Sequence, residues 1–170
     1  MPRRSSRPAR PPTGSALDAG LRLLSRRAHS RAELRLKLRR RGYEEVDVQA
    51  AAARLAELGY LDDRSFATGH VTRRSGVRGP LALRSELAAR GVDRAIADEA
   101  VGGFDSEAQL SSARRLAGRL AGRKSFAGYK ELLDWVGPKL VRRGFPPAVA
   151  RAACRAVWSP AGDTSEAPEA

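Results

Sequence analysis

Cysteine occurs once and histidine twice in 170 residues, and aromatic rings make up only 5% of the chain. The lone Cys154 excludes an intramolecular disulfide, and with His29 and His70 it is too small a set of soft ligands for a zinc site. No cofactor or metal is expected. No apolar run approaches the roughly 18 residues that span a bilayer, and the opening "MPRRSSRPARPP" lacks the apolar stretch of a secretory signal. The cytoplasm is therefore the expected compartment. There is no Walker loop, no GxGxxG and no Cys or His set at nucleophile spacing, so the chain does not read as an enzyme. Acidic residues are also scarce, nineteen against thirty-two Lys and Arg, leaving a net charge of +13. Such a field suits nucleic acid, an acidic protein surface or anionic lipid, and charge does not choose among them.

What is present is mostly alanine and leucine within a hydrophobic share of 42%. That composition favours helices packed at close range over a large sheet, and predicts an all-α chain. Residues 1–15 are rich in Pro, Arg and Ser, and residues 159–170 in Pro, Ala and acids, so both ends are expected to be disordered, one basic and one acidic.

Between them the helices carry compact start and stop signals. Ser30 with Glu33 forms a capping box that opens a helix near Arg31, with the Glu reaching back to the cap. "LRRRGY" ends it at Gly42, and the same shape returns as "LAARGV" at Gly91 and "LVRRGF" at Gly144. Each copy has a Leu four residues before the Gly, an Arg directly before it and an apolar residue after it, the pattern of a helix leaving through a left-handed glycine. Arg41, Arg90 and Arg143 thus share one place near a helix C-terminus, which argues for capping or packing duty. Gly79 and Pro80 open the second of these helices, and Ser125 or a neighbour the third, where Pro138 should kink or divide it. Helical patterns flank each of them, about 16–27, 63–75 and 106–122 before, and 46–58, 94–101 and 147–158 after. The glycines lie 49 and 53 residues apart. The expectation is an elongated array of three tandem three-helix repeats, 16–61, 62–104 and 105–158.

At Leu58–Ala67 the chain reads "LGYLDDRSFA". Gly59 ends one helix, Tyr60 and Leu61 should plug the joint, Asp62 or Asp63 caps the next helix, and Phe66 follows on it. Together with "SRAELRLKLRRRGY" (30–43) and "GPLALRSELAARGV" (79–92), this stretch resembles the RecX family, regulators of the bacterial recombinase RecA. Gly42, Tyr43, Gly59, Tyr60, Leu61, Asp62, Asp63, Phe66, Gly91 and Gly144 carry the structural side of the likeness. The resemblance is close over about 16–104 and looser beyond. It implies a monomeric, non-enzymatic, curved repeat protein that lies in the groove of the RecA filament on single-stranded DNA. Family members dampen strand exchange, coprotease activity and ATP turnover.

The residues offered for binding are basic. Arg31, Arg35 and Arg39 recur every four positions as a stripe opposite Leu34 and Leu38. Arg73, Arg74 and Arg78 crowd a helix end, and Arg115, Arg119, Arg123 and Lys124 run along the third repeat beside Arg114. Trp135 and Trp158 read as core anchors, and His29 and His70 as ordinary surface or boundary residues. The rival reading is an autonomous DNA- or RNA-binding helical protein.

Overall fold

The computed structural model describes residues 13–158, and within them the chain is all-α, with nine helices and no strand. These are α1 (Ala16–Leu24), α2 (Arg31–Arg39), α3 (Glu45–Glu57), α4 (Asp63–Arg74), α5 (Pro80–Ala89), α6 (Arg94–Gly102), α7 (Ser106–Ala121), α8 (Tyr129–Val141) and α9 (Pro147–Val157). The chain divides into two compact units. The first comprises residues up to 70 together with 86–100, the second residues 71–85 together with those from 101 onward, so α4, α5 and α6 each give residues to both.

In the first unit α1, α2 and α3 pack on one another around Leu34, Leu38, Val48, Leu55 and Leu61, all fully buried. Ser30 caps α2 as expected, its Oγ accepting from the Glu33 amide at 3.0 Å. The other half of the capping box is absent. Glu33 turns away to accept from Arg27 at 3.2 Å and Arg90 at 2.7 Å, because guanidiniums are stronger donors than a backbone amide. Asp62 caps α4, taking the Arg64 and Ser65 amides at 3.0 and 3.2 Å. Asp63 does something else: its Oδ1 accepts from the Arg31 amide at 2.8 Å, tying the start of α4 to the start of α2.

The four stops at Gly42, Gly59, Gly91 and Gly144 all have positive φ, between 71° and 88°. At each, the amide after the glycine donates to a leucine carbonyl five residues back: Tyr43 to Leu38, Tyr60 to Leu55, Val92 to Leu87 and Phe145 to Leu140, at 2.9–3.4 Å. The leucine and the apolar residue after the glycine are thus the two ends of one closing bond, and Tyr43, Val92 and Phe145 are buried against it. Tyr60 is the exception. It is 61% exposed, and Leu61, at 1%, fills the interior place instead, so Leu61 alone plugs that joint.

In the second unit α7, α8 and α9 pack on one another around Leu116, Leu132, Val136, Leu140, Phe145 and Cys154. Asp105 caps α7 by accepting from the Ala108 amide at 2.8 Å. Helix α8 starts after Gly128, where Glu131 accepts from the Ala127 amide at 2.9 Å. It then runs through Pro138 as one helix, so the proline does not divide it. Pro138 and Asp134, whose carbonyl the proline leaves without a helical donor, are both exposed, so the missing bond falls on the solvent side of the helix rather than in the core.

Each unit also contains a joint between distant middle helices. In the first, the Ser30 Oγ donates to the Arg90 carbonyl at 2.5 Å, and a Cβ on Gly91 would overlap that of Ala32. In the second, the Gly79 amide donates to the Arg143 carbonyl at 2.8 Å and the Leu81 amide to the Gly144 carbonyl at 3.1 Å. The start of one middle helix thus receives the glycine-terminated end of another. Arg90 and Arg143 hold equivalent places because the carbonyl of each makes the contact, to which the Arg90 guanidinium adds its pair with Glu33.

Candidate functional site

The arginine stripe of α2 is exposed along its length, as its spacing predicts. Arg39 pairs with Glu45 at 3.2 Å, and Gln49 and Arg39 together hold the Glu45 carboxyl below its usual range. Arg31 uses its amide for Asp63 and leaves its guanidinium in solvent. Arg73 is exposed at the end of α4, whereas Arg74 and Arg78 are half-buried and engaged with neighbours. On α7 the Arg115 guanidinium donates to the Ser111 and Ser112 hydroxyls at 2.9 and 3.2 Å, which orients it along the helix surface. Arg119 and Arg123 are exposed, and Lys124 pairs with Glu131 at 2.6 Å.

The stripe and the other candidates fall in different units, and the two units differ sharply in charge. Residues 13–70 and 86–100 hold thirteen cations and twelve acids, close to neutrality. Residues 71–85 and 101–158 hold fifteen cations and four acids. Like charges at that density repel unless an anion relieves them. Exposed Arg142, Arg151 and Arg155, absent from the candidates read from sequence, belong to it. A tally of acids along 106–158 carries the signal that would have found them.

Both histidines are buried, contrary to expectation. His29 is 4% exposed with Nδ1 3.3 Å from Glu33, and His70 is 5% exposed with Nε2 2.8 Å from Glu86. Each is a satisfied core group, and helix spacing alone does not show which residues the next helix will cover. Burial, with Arg27 adding, holds the His29 imidazole below its usual pKa. For Glu33 burial pulls the other way, but Arg27, Arg90 and His29 outweigh it and keep the carboxyl below its usual range. Trp135 and Trp158 are half-buried rather than deep anchors. Burial pushes the Cys154 thiol up, as befits a packed side chain. Among the described residues no group of three metal-type ligands occurs, and no helix is long and apolar enough to cross a membrane.

Residues 16–55 match the first three-helix domain of RecX, and residues 62–101 match the second. The regulatory protein RecX of Thermus thermophilus is 39% identical over 140 residues, covering 82% of this chain and 90% of that one. That of Stenotrophomonas maltophilia is 37% identical over 154 residues, covering 89% and 92%. The crystal structure of RecX from Lactobacillus salivarius superposes with a TM-score of 0.76 over 84% of this chain and 94% of its own, at 24% identity, and so speaks for the fold.

Proposed function

The chain belongs to the RecX family, and on that premise we propose that it is a non-enzymatic regulator of the RecA recombinase. It binds in the groove of the RecA filament on single-stranded DNA and lowers strand exchange, ATP turnover and coprotease activity. The observation that carries this reading is the uncompensated charge of the second unit, fifteen cations against four acids over residues 71–85 and 101–158. A nucleoprotein filament offers phosphates and acidic side chains along its whole length, which is the relief such a surface needs.

In this reading Arg31, Arg35 and Arg39 bear on the filament through the first repeat, Arg73, Arg74 and Arg78 through the second, and Arg115, Arg119, Arg123 and Lys124 through the third. The repeats run 16–61, 62–104 and 105–158, and the chain acts as a monomer in the cytoplasm. The test is ATP turnover by the cognate RecA on single-stranded DNA, with and without this chain. Turnover should fall at protein levels well below the DNA sites present. Order of addition separates this from plain competition for the strand: a filament regulator acts on preassembled filaments, whereas a competitor acts only when added first.

A further inference from the structure

We propose that α8 and the segment before it form a direct binding site for an unpaired nucleic-acid strand, with a base against the Trp135 ring and its phosphate against Lys139 and Arg142.

Glu131, Trp135 and Lys139 follow one another at four-residue spacing on α8, with Arg142 three positions on, so the four share one face. The Lys139 Nζ stands 3.1 Å over the Trp135 ring centroid while donating to the Trp135 carbonyl at 2.7 Å. Phe126 meets the same indole at a centroid distance of 5.6 Å and a 59° tilt, and the Lys124 Nζ lies 5.4 Å over the phenyl ring. Both rings are half-buried, unlike Phe145, which is fully enclosed and serves packing alone.

The charges around the rings are unequally matched. Glu131 takes Lys124 and Asp134 takes Lys130, each at 2.6–2.7 Å, which leaves Lys139 and Arg142 without a carboxylate among the described residues. Burial, with the Arg142 and Lys124 charges adding, holds the Lys139 ammonium below the usual lysine pKa. An arriving phosphate reverses that balance. Its base then meets the half-buried indole over which the Lys139 ammonium stands, and rings beside cations are how proteins hold single strands regardless of sequence. A duplex buries its base faces in its own stack and can use the cations only. An acidic peptide likewise gains the charge and not the stacking. This contact requires no recombinase, so it stands or falls separately from the filament reading.

The experiment uses the full chain carrying Trp158→Phe, which makes Trp135 the only tryptophan of the two in the sequence. It is titrated at low salt with an oligothymidylate of roughly 15 nucleotides, without recombinase. The expected result is saturable quenching of Trp135 emission that a duplex of the same length does not produce. Trp135→Leu should weaken strand binding about tenfold, within the range of one lost base–aromatic stack. The pair Lys139→Gln and Arg142→Gln should weaken it as well, and make its salt dependence shallower by about one unit. Binding without quenching, equal quenching by duplex or by polyglutamate, or unchanged affinity in either variant would overturn the site. Should Trp135→Leu lose its helical spectrum, the Lys139 and Arg142 pair, whose side chains lie outside the core, decides the matter alone.

Discussion

Gly144 sits so close to Ala82 that a Cβ built on it would lie 2.5 Å from the Ala82 Cβ and 2.9 Å from its Cα. The neighbour is helix backbone and cannot swing aside. Gly59 has a similar φ of 76° but nothing within 4 Å of the same imaginary atom. The two glycines therefore separate backbone strain from crowding. Gly59→Ala should cost about 1 kcal/mol, the left-handed penalty alone, while Gly144→Ala should cost about 3 kcal/mol or more. Thermal melts of the two variants check the ordering, and equal shifts would mean that the Gly144–Ala82 approach relaxes freely.

Asp62 supplies the cap of α4. The Ser65 hydroxyl at 2.7 Å, followed by the Arg64 amide, holds its carboxyl below the usual range. A carboxyl depressed in the folded state stabilises above its unfolded pKa of about 3.9, and that stabilisation is lost as pH falls through the folded value. Asp62→Ala should therefore lower stability by about 1 kcal/mol at neutral pH. The gap between variant and parent should narrow in melts taken at pH values falling below about 3.9 and through the lowered folded value.

His29 works in the opposite chemical sense with the same sign. Its ring is kept neutral by burial, so the unfolded chain takes up a proton near pH 6.5 before the folded one does. Stability should decline as pH falls from about 7 toward the lowered folded value, then level off. His29→Gln should flatten that part of the stability profile in denaturant titrations at a series of pH values. A profile parallel to the parent's would show that some other group carries the acid-side loss.

The α2 stripe has no structural duty beyond the Arg39–Glu45 pair, which is half-exposed on both sides and so screened by solvent to little effect on stability. Changing Arg31, Arg35 and Arg39 together to Glu should leave the helical spectrum nearly intact. Binding to the recombinase filament should weaken severely, with a salt dependence shallower by about two or three units if phosphates are contacted. Should the variant suppress recombinase ATP turnover as well as the parent, the stripe is a solvated face and the second unit holds the grip.

The helices and their ends were legible because their causes are local: Ser30 with the Glu33 amide, Asp62 with Ser65, a glycine with the leucine four residues before it. Contacts across long separations left no comparable trace. Nothing near Ser30 announces that its hydroxyl serves the Arg90 carbonyl sixty residues away, or that Asp63 serves Arg31 rather than its own helix. Tyr60 misled for a related reason. An aromatic directly after a stop glycine is buried at Tyr43 and Phe145, but at Gly59 the next residue, Leu61, is the one that turns inward. Of the candidate site, the α2 stripe followed from helical spacing. The charge imbalance was legible as well, since residues 106–158 alone hold eleven cations against three acids, and residues 71–85, joined to them in the second unit, add four cations and no acid.

Helix α8 differs from α2 and α5 in what its start engages. The start of α2 engages Arg90 and that of α5 engages Arg143 and Gly144, whereas the Ala127 amide ahead of α8 is met by Glu131 from α8's own first turn. The chain therefore has a grammar with a full stop. Two of its middle helices are open clauses, each completed by residues that follow later, and the last closes itself. A spare copy of 105–158 appended at the end would meet no open clause to complete.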